Sequence, residues 1–225
     1  MTPSAGLSPG SRCIGSVRRD FVEWHLGRPR YALWALDLDM PVLRRRFDAA
    51  QAHLEGLLLA GYRRQPHVTL SLCGFPADAP VRDDDFGAET LAWQLAALRA
   101  ARPLAFDIRV DGLASFASAP YLVVDDADGG IAALRRCLAR DPLDRGTAHY
   151  VPHVTVGLYA DDWPTARVQP RLDAFSAGAP LRLRVATISL LSYQAADIGG
   201  PLTCLAEYTL ADGLLRWHGT ALFAG

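Results

Sequence analysis

The chain has 225 residues, half of them hydrophobic, enough to bury an ordinary core. Its formal net charge is −1, and all 23 basic residues are arginine. A near-neutral chain lacks the footprint of a protein that tracks along long DNA or RNA, whereas a short or small anionic substrate remains compatible with it.

Cys13, Cys73, Cys137 and Cys204 lie far apart with neither Cys-x-x-Cys nor zinc-knuckle spacing, so reduced thiols are expected. No signal-peptide run opens the chain and no stretch of eighteen apolar residues interrupts it, which predicts a cytoplasmic protein without a membrane partner. A monomer is expected.

Pro, Gly and Ser crowd residues 2 to 16, so residues 1–19 are assigned to a flexible leader and 20–225 to a single domain. "RYALWALDLD" (30 to 39) reads as a buried strand, and 41 to 61 as a helix opened by Pro41 and closed by Gly61. "HVTLSLCGF" follows as a strand, then a helix over 89 to 102 with Leu91, Leu95 and Leu98 at helical spacing. "PLAFDIRVDGLASF" and "PYLVVDD" supply strands, "GGIAALRRCLARD" a helix, and "HVTVGLYA" another strand. A short helix near "TARVQPRLDAF" precedes "LRLRVATISLLSYQ" and "LTCLAEYTLAD", a pair of strands joined by "AADIGGP". This order predicts an α+β architecture.

One sequence, strand then helix then a His-x-Thr strand, occurs over 31 to 74 and again over 120 to 159. Its core is "PHVTL" at 66 to 70 and "PHVTV" at 152 to 156. With 6 His and 10 Thr, a His-x-Thr triplet should arise by chance about 0.3 times, before the shared Pro and Val are required. Two lobes related by a pseudo-twofold are therefore expected, with antiparallel-rich sheets around a central cleft. Alternation along a strand puts His67 and Thr69 on one face and Val68 and Leu70 on the other, and likewise His153 and Thr155 against Val154 and Val156. If the apolar faces bury into their own lobes, the polar faces confront each other.

Two imidazoles facing one anion suit phosphodiester cleavage, because one ring can accept a proton while the other donates one. The threonine hydroxyls would hydrogen-bond the non-bridging phosphate oxygens. Neither metal nor other cofactor is needed. A His-ligated metal-dependent hydrolase is the rival, since His149 and His153 are spaced His-x₃-His and His67 could complete the set, although Pro152 disfavours the helix such spacing suits.

The repeated Pro-His-Val-Thr strands resemble those of the two-histidine (2H) phosphoesterase superfamily, most closely its 2′-5′ RNA ligase-like branch, over about residues 30 to 210. The resemblance implies a bilobal fold, catalysis by His67 and His153, and phosphate holding by Thr69 and Thr155. It implies a metal-independent phosphodiesterase acting on 2′,3′-cyclic phosphates or 2′-5′ linkages of a nucleotide or short RNA end. A binding protein that recognises such ends without turnover is the alternative. Many relatives carry an Arg a few residues after the second motif, where this chain reads "VGLYADD" with Tyr159 near that place. Arg63 and Arg64 are candidates for the missing charge, and Tyr159 and Tyr193 for further substrate contacts.

Overall fold

The computed structural model describes residues 7–8, 10–139 and 150–223. Two sheets carry the architecture. The first contains β1 (Arg30–Asp37), β2 (His67–Pro76), β3 (Asp85–Phe86), β8 (Thr187–Gln194), β9 (Thr203–Thr209) and β10 (Leu215–Trp217), in the order β10-β9-β8-β1-β2-β3. The second contains β4 (Phe106–Ser115), β5 (Pro120–Asp125), β6 (His153–Thr155) and β7 (Leu181–Val185), in the order β6-β5-β4-β7. Among the described residues all strand pairings are antiparallel except β2 with β3.

The duplication is visible in the pairing. β1 lies between β8 and β2, as β5 lies between β4 and β6, and each central strand leads through a helix into its His-x-Thr strand. These helices are α2 (Pro41–His53) and α4 (Gly130–Leu138); α1 (Val22–His25), α3 (Ala88–Ala101) and α5 (Thr165–Asp173) complete the set.

The two lobes do not bury separate apolar faces. Arg46 of α2 donates from Nη1 to the Val110 carbonyl on β4, while Arg135 of α4 donates from Nη1 to the Leu70 carbonyl on β2. Each repeat thus sends its helix to the other repeat's sheet. One continuous core results, with Trp34, Val68 and Leu70 of the first sheet packed with Leu122 and Val154 of the second and with Val156 just after it. The apolar faces of both His-x-Thr strands are thus buried in a shared core.

Three element boundaries also differ. The helix expected to reach Gly61 ends at His53, because Gly56 takes φ 82° and the apolar run after it pairs with the strand-like segment 158–160 instead. Leu59 N–H donates to Leu158 O and Ala160 N–H to Leu57 O. The strand expected over 181 to 194 is divided at Ala186, so that β7 joins one sheet and β8 the other. Alternating hydrophobicity gives a strand's period and faces but not the sheet that receives it. Finally, the leader is not free over residues 11–16. Cys13 is buried, its N–H donates to Trp163 O, and Ser16 N–H donates to Tyr159 O, because the segment supplies backbone partners that the 159–164 loop would otherwise lack. Residues 1–6 and 9 lie outside the described residues.

Candidate active site

Both His-x-Thr motifs sit in matching places on matching strands. His67 pairs with Asp37 and Thr69 with Ala35 across β2 and β1, while His153 pairs with Val123 and Thr155 with Tyr121 across β6 and β5. Val68 and Val154 are fully buried beneath them. The apolar member of each motif therefore anchors the strand and the polar members are turned outward.

All four polar residues line one cleft of about 450 Å³, with Trp24, Tyr62, Arg64, Phe116, Ser118, Leu158, Tyr193 and Ile198 among the other walls. Burial has proceeded furthest at His67, 7% exposed, while His153 is half-buried. Both rings are anchored by the same bond. His67 Nδ1 lies 2.7 Å from Gln65 O, and His153 Nδ1 lies 2.7 Å from Val151 O, two residues back in each case. A carbonyl only accepts, so in each ring Nδ1–H is the donor and, in the neutral form, Nε2 carries the free lone pair. The proline between carbonyl and ring restricts its own φ and favours an extended residue before it, which fixes the carbonyl's approach.

Burial sets the protonation of the pair. Desolvation pulls His67 down to about 4, with further lowering from the Arg64 charge and from His153, against the raising effect of the Gln65 carbonyl. His153 is also lowered by desolvation, opposed by Val151 O. Both rings are consequently neutral at pH 7 in the free protein.

Of the two candidate arginines, only Arg64 reaches the cleft. Its guanidinium lies 4.2 Å over the Tyr193 ring and its Nε donates to Gly200 O at 3.4 Å. Arg63 turns away and pairs with Asp197 at 2.6 Å. Tyr193 lines the cleft, but Tyr159 does not. Tyr159 is fully buried with its hydroxyl 2.6 Å from Ser115 Oγ, so it is a core residue whose hydroxyl has an internal partner. Leu158 faces the cleft in its stead.

Several cleft residues escaped the sequence reading. Phe116 meets the His153 ring edge to face at 4.8 Å and stacks on Tyr121 at 4.3 Å. Tyr62 packs beneath Gly199, whose φ is 71° and where an added Cβ would come within 2.8 Å of the Tyr62 ring. Neither has a motif; Tyr62 stands five residues before His67, and Phe116 follows β4, a strand without a histidine, so no local signal marks it. His149 lies outside the described residues. Among the described residues no three His, Cys, Asp or Glu side chains gather in a way that could hold a metal ion.

The model of the 2′-5′ RNA ligase superfamily matches residues 40–197 of the sequence. The chain belongs to the 2′-5′ RNA ligase superfamily. Its fold is also that of LigT from E. coli, a likeness seen with the 3′-AMP complex at 17% identity, covering 83% of this chain and 100% of LigT with a TM-score of 0.52. LigT in apo form gives the same TM-score of 0.52 over 82% of this chain and 99% of its own. At that identity the likeness concerns the fold alone. No protein of curated function matches the sequence. For this member of the 2′-5′ RNA ligase superfamily, the two-lobed α+β architecture expected from the repeat is therefore the observed one, and membership supports a phosphodiesterase-type function.

Proposed function

We propose that the protein is a metal-independent phosphodiesterase that opens 2′,3′-cyclic phosphates or cleaves 2′-5′ linkages at a nucleotide or short RNA end. The observation that carries the reading is the pair of equivalent imidazoles, each with Nδ1–H held by the carbonyl two residues back, lining one cleft with two threonines. One Nε2 takes the proton from the attacking water or hydroxyl, and the other ring, protonated, delivers its proton to the leaving alkoxide. Thr69 and Thr155 hydroxyls bond the non-bridging oxygens, and Arg64 supplies positive charge at the same cleft.

The asymmetry in burial supports His67 as the base and His153 as the acid in the free protein, since desolvation lowers the more deeply buried His67 to about 4 and lowers the half-buried His153 as well. LigT structures bound to 3′-AMP and to ATP support a nucleotide as the ligand class. No helix among the described residues is long and apolar enough to cross a membrane, and the four cysteines are free, which supports action on a cytoplasmic substrate.

The test is a panel of 2′,3′-cyclic nucleotides and cyclic-phosphate-ended RNAs, with identification of the product isomer, run before and after exhaustive chelation. Turnover that survives chelation is expected. Tight binding without turnover favours an end-binding protein, and activity lost to chelation and restored by zinc favours the metal-dependent hydrolase.

A further inference from the structure

A groove of about 1000 Å³ lies away from the cleft, where the end of α3, the start of β4, β7 and the turn between β9 and β10 meet. It shares no lining residue with the cleft. Arg99, Arg102 and Arg184 converge on it, and Asp212 is the one acidic residue in its lining. That carboxylate is already engaged, since its Oδ1 accepts the Leu214 N–H at 3.0 Å. Leu104 and Leu214 supply exposed apolar walls.

Two side chains hold positions that the fold alone does not favour. Arg102 closes α3 at φ 45° and ψ 57°, in the left-handed region where glycine is the usual residue and a Cβ is penalised. Arg99, in the last turn of the helix, complements its dipole, but the Arg102 guanidinium makes no ion pair or hydrogen bond with any described residue. Tyr208 lines the groove although it is 1% exposed, and its hydroxyl likewise has no hydrogen-bond partner among the described residues. A buried phenol ordinarily finds one. A Cβ placed at Gly213 would stand 3.2 Å from Tyr208 Oη and 3.7 Å from Arg99 Cγ, so the hydroxyl and the arginine flank the same glycine of the groove. The third cation, Arg184, meets Asp107 at 3.3 Å in an exposed pair that is worth little in water.

We propose that this groove is a second binding site, independent of the chemistry in the cleft, for a small organic phosphate monoester with an apolar body. Three guanidiniums against one engaged carboxylate leave an excess of positive charge, which suits a dianion, and a phosphate monoester is close to one at pH 7. A carboxylate carries half that charge and has one oxygen fewer for these donors. Guanidinium forks match phosphate oxygens in pairs, the Tyr208 hydroxyl donates to a further one, and the two leucines cover the apolar part of the ester. The volume is that of a small-molecule site.

The test is a titration of the full chain followed by the backbone amide resonances of Gly213 and Leu214 in the groove and of Thr69 and Thr155 in the cleft. Phenyl phosphate should shift the groove amides and saturate them at about tenfold lower concentration than inorganic phosphate, the order expected from about 60 Å² of newly covered apolar surface. Arg102→Gly should weaken that binding by roughly tenfold or more without lowering Tm, because glycine is unstrained at this position. Tyr208→Phe should weaken it by roughly threefold to tenfold, the worth of one neutral hydrogen bond. Shifts confined to the cleft amides, or an unchanged groove affinity in Arg102→Gly, would overturn the proposal. Benzoate that saturates the groove at the same concentration as phenyl phosphate would overturn the choice of a phosphate. An oligoribonucleotide without terminal phosphates that saturates it at lower concentration than phenyl phosphate would make the groove a path for an RNA strand instead.

Discussion

The phenol of Tyr150, three residues before His153, lies 2.5 Å from the backbone carbonyl of Thr69 and donates to it. A longer counterpart runs the other way, from the Tyr62 hydroxyl to Thr155 O at 3.5 Å. The approach to each motif is thereby bonded to the other motif's threonine, across the seam between the sheets. Tyr150 is further clamped by Arg135, whose guanidinium lies 3.6 Å over its ring. Tyr150→Phe keeps the ring and removes only the donor, so stability should fall by about 1 kcal/mol in a denaturant titration. Turnover should fall by several-fold at unchanged chelator resistance, because the distance between the histidines is no longer pinned. Unchanged turnover in a correctly folded variant would show that the bond is not a spacer.

His67→Ala and His153→Ala should each lower the rate by roughly 10²- to 10⁴-fold, the usual contribution of a positioned acid or base. Circular dichroism should remain native. Thr69→Ala and Thr155→Ala should lose less. Near-full activity in a folded variant of either histidine rules out paired-imidazole catalysis.

The pH dependence follows from the direction of both shifts. Only the singly protonated pair is productive, and it accumulates between the loss of the first proton, at His67 near 4, and of the second, at His153 below 6.5. The bell in kcat/KM should therefore peak on the acid side of 6.5 rather than around it. Bound anionic substrate favours the imidazolium, so the kcat profile should lie at higher pH than that of kcat/KM. A kcat/KM still rising through pH 8 would indicate a different base.

The same burial of His67 makes stability depend on pH. Its folded value of about 4 lies below the unperturbed 6.5, so between these limits the unfolded chain binds a proton that the native protein excludes. The contribution is complete above about pH 6.5 and is lost as pH falls toward 4, amounting to at most about 3 kcal/mol. Urea midpoints at pH 7 and pH 4.5 should differ less in His67→Gln than in the unmodified protein. Equal pH dependence in both would place the acid sensitivity elsewhere.

Arg64 and Arg63 are neighbours with opposite orientations, one at the cleft and one on Asp197. Arg64→Gln should raise KM for a cyclic nucleotide by about tenfold, the order expected on losing a charge-assisted contact. Arg63→Gln should change it by less than about twofold, since an exposed ion pair is worth little. The reverse ranking would move the phosphate's partner to Arg63.

By itself the sequence determined the repeat, the polar and apolar faces of His67-Val68-Thr69 and His153-Val154-Thr155, and the α+β class, because strand alternation and an improbable duplication are local properties of the chain. It did not decide which sheet receives 181 to 185, that α2 and α4 cross to the opposite repeat, or that Tyr159 faces the core, since periodicity records a face but not what covers it. The closure of the cleft by Arg64, Phe116 and Trp24 was beyond it for the same reason. These residues come from segments forty or more positions apart, and only the shared core of the two sheets brings them to one cleft.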